Sequence, residues 1–590
     1  MKRTLTLILA LMLVLALFAG CGGTPEGTPP TAAPATNAPA TSAPAPGGES
    51  EGGGEVAPPE DTGPYKFAKG KYETDAEGWP LEKYVYELPI STTDEVLTQM
   101  TLNFSPQYLP EDGYAGIPTY AQAGEMTGVH IEYNILPMDS YSTTLSILEA
   151  SEDLDDIIGG FYAYHSGTSL SRCIEDEQIV NIYDYKDYCP NYCRWALDFK
   201  WIDKQWGAVN NPALDKWIGF VDFYDQPCQT TGYFLRQDWM DELGLGKADG
   251  FDTFQEWHDI LLAIKTAGKC EYPLIVYSNL DAYANVWNAF DTSPYAASSM
   301  WLRVVDGKVN FNGTTDDDKE LMQYLNGWLN EGLIDPNYGA YTTTDSLREP
   351  LTNNSIAATF FNPSEVLGWE SSSIDPNCRW EPNQRLRKTT DQILHWNLDP
   401  DEFGGTGSSI AATCENVPLA VSYIDWCYSD FGAEWMNWGP EGYGWEYNEN
   451  GEKEWTELVT GFDLGVGWAT MCYFFNPMDA GINMWTRNYY YPGGERLRNM
   501  FTVWDRCLDY YDGAYNYPAA IKLSDEDAAE VNTIRGDLDT FFSENYILFF
   551  NGSKSFAEWD SFQEQYGELG MNRITEIYQQ YYDNYMAANA

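Results

Sequence analysis

Three short runs decide the fold: MTLNF at 100–104, VHIEYNI at 129–135 and LDDII at 154–158. In the first two, apolar and polar residues alternate, as on a half-buried strand. Between them Ile117 to Thr127 reads as a helix, with Gly128 placed to end it. Tyr141, Leu145 and Leu148 recur at helical spacing before the third run. Strand, helix, strand, helix, strand at this spacing means parallel βαβ units with right-handed crossovers, so the class is α/β.

In open α/β sheets, ligands sit beyond the carboxyl ends of the strands. Here those ends are the loops after Phe104 and after Ile158. The second reads GGFYAYH at 159–165, two glycines followed by aromatics and a histidine. Phe161, Tyr162, Tyr164 and His165 are therefore candidate ligand contacts. An extended loop would turn Tyr162 and Tyr164 to the same side. Asn103, Ser105 and Tyr108 are candidates at the same rim, and Trp287, Phe290 and Tyr295 are further aromatic candidates.

Working outward to the N-terminus, Lys2 and Arg3 precede an apolar run from Leu5 to Ala19. The run is short of the roughly 20 residues of a permanent span, and fits a secretory signal at 1–20. FAGC at 18–21 resembles a lipobox, which implies lipidation of Cys21, and two acyl chains suffice for a stable anchor. Residues 21–64 are mostly Gly, Pro, Ala, Thr, Ser and Glu, a composition that cannot bury a core and reads as a tether.

Roughly 525 residues remain, too many for one small core. The formal charge of −56 excludes nucleic acid and anionic lipid surfaces as partners. Aromatics make up 15% of the chain, enough for a recognition surface as well as a core. Ten cysteines besides Cys21 are scattered, with Cys189 and Cys193 the close pair; disulfides and buried thiols are both open readings. Further along, Thr253 to Glu256 is a capping box. Leu419 to Tyr428 reads as a helix with Pro418 in its first turn, and the C-terminal region is helical.

Several segments, in order, resemble the family 1 extracellular solute-binding proteins of ABC transporters, in their long Gram-positive lipoprotein branch. They are TYAQAGEMTGV at 119–129, YSTTLSILEASEDLDDII at 141–158, LRQDWMDELGL at 235–245, WLNEGLIDPNY at 328–338, residues 416–444 with WGPEGYG, and residues 549–586. The resemblance implies a two-lobed clamshell of the type 2 periplasmic-binding fold, each lobe a sheet flanked by helices. The solute-binding region would span 65–590. One lobe would take about 90–228 and 405–445, the other about 232–400 and 446–590. It also implies that Phe361 and Asn362 reach the cleft and that Arg236 lies near the hinge. The family commonly takes sugars, and Trp and Tyr suit a sugar's CH face while Asp, Asn and Arg suit its hydroxyls.

The expected function is capture of a sugar or oligosaccharide at the extracellular face of the membrane, for delivery by a monomeric receptor to an ABC permease. A peptide solute, a surface glycan-binding module and a glycoside hydrolase are the alternatives. No Gly-x-Ser-x-Gly elbow, His-Glu-x-x-His helix or Walker A motif is present, so neither enzyme nor cofactor is expected. NLDPDEFG at 397–404 has spaced oxygens but lacks the glycine of an EF-hand calcium loop at the right place, and reads as a solvated turn.

Overall fold

The computed structural model describes residues 63–588 apart from 104–105, 166–169, 199–215, 281–283, 400, 464, 477, 492–493 and 519–520. The signal, the tether and Cys21 lie outside the described residues. Among the described residues, no helix is long and apolar enough to cross a membrane.

The opening βαβ reading holds. β1 (Val96–Asn103) pairs in parallel with β2 (His130–Pro137) and with β3 (Ile157–Gly159). The helix between β1 and β2 is Pro118–Thr127, and Gly128 ends it at φ 66°. A Cβ at Gly128 would overlap the Ser91 carbonyl, so glycine is required for conformation and for space. β4 (Phe220–Cys228) joins the same sheet.

The chain then leaves this sheet. β5 (Gly232–Arg236) is the centre of a second, three-stranded sheet. The hairpin β6 (Leu302–Val305) and β7 (Lys308–Phe311) follows, then β8 (Ala358–Phe361) and β9 (Trp380–Asn383), which flank β5 antiparallel. Side chains of β5 alternate between two cores, as a strand buried on both faces must. Tyr233 and Leu235 pack with Trp257, Trp287 and Phe360, while Phe234 packs with Phe361, Trp369 and Trp504. The Thr253 capping box forms as read, and starts the helix Phe254–Thr266 against this sheet.

β10 (Asp401–Ile410) returns to the first sheet, antiparallel between β3 and β4. Residues 397–404, read as a turn, therefore run into this strand. The helix Val417–Trp426 follows with Pro418 in its first turn. The hairpin β11 (Trp445–Tyr447) and β12 (Lys453–Trp455) stacks Trp455 on Trp438, with centroids 4.5 Å apart. β13 (Ile482–Asn483) pairs with β4 and completes the order β13-β4-β10-β3-β1-β2.

One boundary is corrected here. The segment from 446 to 483, expected in the second lobe, packs on the first: Phe475, Met478, Ala480 and Ile482 lie in the first lobe's core. The chain enters the second lobe for the last time after β13. The helices Gly494–Asp505, Asp525–Phe550, Trp559–Tyr566 and Asn572–Ala588 complete that lobe.

Three segments thus cross between the lobes, and buried Gln229 ties them. Its backbone N–H donates to Asp505 Oδ1 at 2.9 Å, its Nε2 donates to the Leu398 carbonyl at 2.9 Å, and its Oε1 accepts from Arg385 Nη2 at 3.2 Å. Arg385, also buried, donates to the Thr231 carbonyl at 2.7 Å. Gln229→Leu keeps the volume and strands the Leu398 carbonyl and part of the guanidinium. Urea unfolding should show a loss of about 2–4 kcal/mol, the scale of orphaned buried polar groups. A loss under ~0.5 kcal/mol would mean the crossings hold without it.

Candidate functional site

The interlobe face follows from strand direction. β1, β3, β4 and β13 run parallel, so their carboxyl ends share one edge of the first sheet. In the second sheet the start of β5 and the ends of β8 and β9 share an edge. Because residues 229–231 join β4 to β5, these two edges meet at the crossing segments.

On the first lobe the edge is aromatic. Tyr108, just beyond β1, packs its ring 4.6 Å from Phe462, which meets Tyr473 edge-on at 5.7 Å. Trp468 lies on the same helix as Tyr473, Val466–Tyr473. At the end of β4, Tyr224 meets Trp485 edge-on at 5.6 Å, and Asp225 accepts from the backbone N–H and hydroxyl of Thr486. On the second lobe the edge is polar. Asn362 caps the helix Pro363–Ser371 by accepting from the Glu365 N–H at 3.0 Å. The half-buried Glu365 carboxyl hydrogen-bonds the Trp468 side chain across the lobes, and burial raises its pKa. Tyr277 Oη lies 3.2 Å from Thr344 Oγ1, its ring parallel to Phe361.

Of the residues expected from sequence, Tyr108 and Asn362 stand on these edges, although Asn362 spends its side-chain oxygen on the cap. The loop after β3 is not extended. Residues Phe161–Tyr164 form one helical turn, because Gly160 adopts φ 73° and starts it. Tyr162 and Tyr164 consequently do not share a side. Phe161 is fully buried in the first lobe's core. The Tyr162 hydroxyl is enclosed beside Gly407, and Tyr164 packs edge-on to Tyr141.

Most of the other candidates are structural. Asn103 is buried and donates to Tyr114 Oη at 2.9 Å. Trp287 and Phe290 belong to the second lobe's core, with Trp287 stacked on Phe254 at 5.2 Å. Phe361 is buried against Trp369. Tyr295 is half-buried beside Trp301 in the second lobe. Arg236 is fully buried, paired with Asp238 at 2.6 Å and packed over Trp239. Ser105 lies outside the described residues. Sequence reasoning missed Phe462, Trp468, Tyr473, Trp485 and Glu365. For Trp468 and Tyr473 the signal was the aromatic run from Trp468 to Phe475 behind a glycine-rich turn.

A cavity of about 30 Å³ lies beneath the first lobe's edge, lined by Tyr120, Tyr133, Tyr423 and Asp479 among others. It has room for a water, not a solute. Burial there pushes the Asp479 carboxyl up to about 7.

No family model matches the chain. A curated relative, the fructooligosaccharide ABC transporter substrate-binding protein FusA of Streptococcus pneumoniae serotype 4, is 20% identical over 483 residues, covering 78% of this chain and 86% of the relative. An HMO-binding ABC-transporter-associated solute-binding protein of Bifidobacterium longum infantis superposes with a TM-score of 0.65 at 14% identity, over 83% of this chain and 99% of that one. The fold is that of the solute-binding proteins of ABC transporters. The alginate-binding protein AlgQ2 gives 0.62 at 17% identity, again over 83% of this chain and 99% of that one. The two-lobed clamshell expected from the sequence blocks is therefore the observed architecture.

His165 supplies a test of its structural role. Hydrogen bonds to Cys173 and Glu149 raise its imidazole to about 10 from 6.5. A raised folded-state pKa stabilises fully below the unfolded value and fades as pH climbs through the folded one. The stability difference between wild type and His165→Gln, from urea unfolding, should be constant below about pH 6.5 and shrink from there to about pH 10. A difference that grows with pH would contradict the pairing.

Proposed function

We propose that this protein is the lipid-anchored, extracellular substrate-binding component of an ABC importer, and that it captures an oligosaccharide between its lobes without altering it. The observation that carries this reading is the pairing of an aromatic edge on one lobe with a carboxylate, amide and hydroxyl edge on the other. A sugar ring offers an apolar CH face and a rim of hydroxyls, and the two edges together offer a partner for each. The proteins it resembles support the ligand class: by their names they bind fructooligosaccharide, HMO and alginate. Cys21 carries the anchor in this reading, and residues 21–64 hold the monomeric receptor off the membrane for a permease. It uses no cofactor.

Calorimetry with a panel of fructo-, manno- and milk oligosaccharides should find a ligand, and chromatography should recover it uncleaved. Hydrolysis by the pure protein would overturn the reading in favour of an enzyme. Trp468→Ala and Tyr108→Ala should each weaken binding at least about tenfold, ~1.4 kcal/mol, with stability little changed. Trp287→Ala should instead destabilise the fold by about 3–5 kcal/mol, as loss of a core ring does. Affinity unchanged in both edge variants would move the site elsewhere.

Anchoring has its own test. Cys21→Ala should be released to the medium or retained as uncleaved precursor. Normal processing with membrane retention would remove Cys21 as the anchor.

A further inference from the structure

Glu149, His165 and Cys173 form a relay in the first lobe, next to the interlobe edge. Glu149 lies on the helix Met138–Ser151, His165 follows the helical turn after β3, and Cys173 lies on the helix Leu170–Glu175. His165 Nδ1 is 2.5 Å from Glu149 Oε1, and its Nε2 is 3.5 Å from Cys173 Sγ. The side chains of His165 and Glu149 are 6% and 8% exposed, and Cys173 is fully buried. The Phe161 ring lies nearly parallel to the imidazole, with centroids 5.3 Å apart, and limits its rotation.

This order of groups has a chemical meaning. A carboxylate on one ring nitrogen holds the imidazole as a cation with its other nitrogen toward the sulfur, placed to steady negative charge there and to give a proton to a leaving group. A thiolate is the nucleophilic form. Burial pushes the thiols of Cys472 and Cys507 up to about 12, and that of Cys427 higher.

We propose that Cys173 is an oxidant-sensitive thiol, activated by His165 and oriented through Glu149, and that hydrogen peroxide converts it to sulfenic acid. In the reacting form the sulfur is anionic and its proton rests on His165; the sulfur attacks one peroxide oxygen, an S–O bond forms and the O–O bond breaks. Sulfur loses two electrons and the peroxide gains them. The departing hydroxide takes the His165 proton and leaves as water, and the product is Cys173–SOH. Peroxide is little larger than water, so it suits a buried sulfur that bulkier reagents do not reach. This inference is independent of the carbohydrate reading.

The test is a peroxide pulse on the folded, reduced protein, followed by catalase, denaturation and alkylation with iodoacetamide. Peptide mapping then reports which cysteines escaped alkylation. Cys173 should be lost at least ~10-fold faster than Cys427, Cys472 and Cys507, and its peptide should gain one oxygen. Glu149→Gln and His165→Gln should slow that loss several-fold and leave the other cysteines unchanged. Cys173 reacting no faster than the other three would overturn the proposal, as would rates unaffected by the variants. If His165→Gln does not fold, the wild-type comparison and Glu149→Gln decide.

Discussion

Gln229 is the point on which the two lobes depend. One buried amide and its own backbone N–H reach all three segments that pass between the sheets. Each segment alone would be a flexible linker. Joined through Gln229, with Arg385 fixing Thr231 from the other side, they become one ordered joint. Rotation about such a joint moves whole lobes while each core stays packed, which is how a clamshell changes shape without unfolding.

Local elements were legible because local chemistry specifies them. Gly128 ends its helix and the Thr253 box starts another, as their residue types require. The first βαβ units followed from alternation and spacing. The boundary that failed lies where structure depends on distant partners. β13 has only two residues, and nothing in Ile482-Asn483 announces that it pairs with Phe223 and Tyr224. The tryptophans of β11 and β12 read equally well as core of either lobe until Trp455 is seen stacked on Trp438.

The site was half legible for a related reason. Strand direction correctly marked the carboxyl ends of β1 and β3 as an edge, and Tyr108 stands there. Whether an aromatic at that edge faces outward depends on backbone conformation. Gly160 in the left-handed region starts a helical turn, and that turn drives Phe161 into the core and His165 onto Glu149. Arg236, expected near the hinge, is instead the last residue of β5, at the end away from the crossing segments, where it pairs with Asp238 and packs over Trp239. Trp468 and Glu365 meet from opposite lobes, a proximity that no spacing in the sequence encodes.

The strand order β13-β4-β10-β3-β1-β2 also sets the order of events during synthesis. β10 is inserted between β3 and β4, although most of the second lobe lies between β4 and β10 in the chain. The first sheet therefore stays open until Ile410 has emerged, and lacks its last edge until Asn483 has. Pairings this far apart in sequence make for slow folding, and the unfinished sheet exposes strand edges meanwhile. The early βαβ units can form as soon as they appear, but they wait for hundreds of residues before their neighbours arrive. Completion of the first sheet is accordingly a late event, whereas the second sheet has all three of its strands by Asn383.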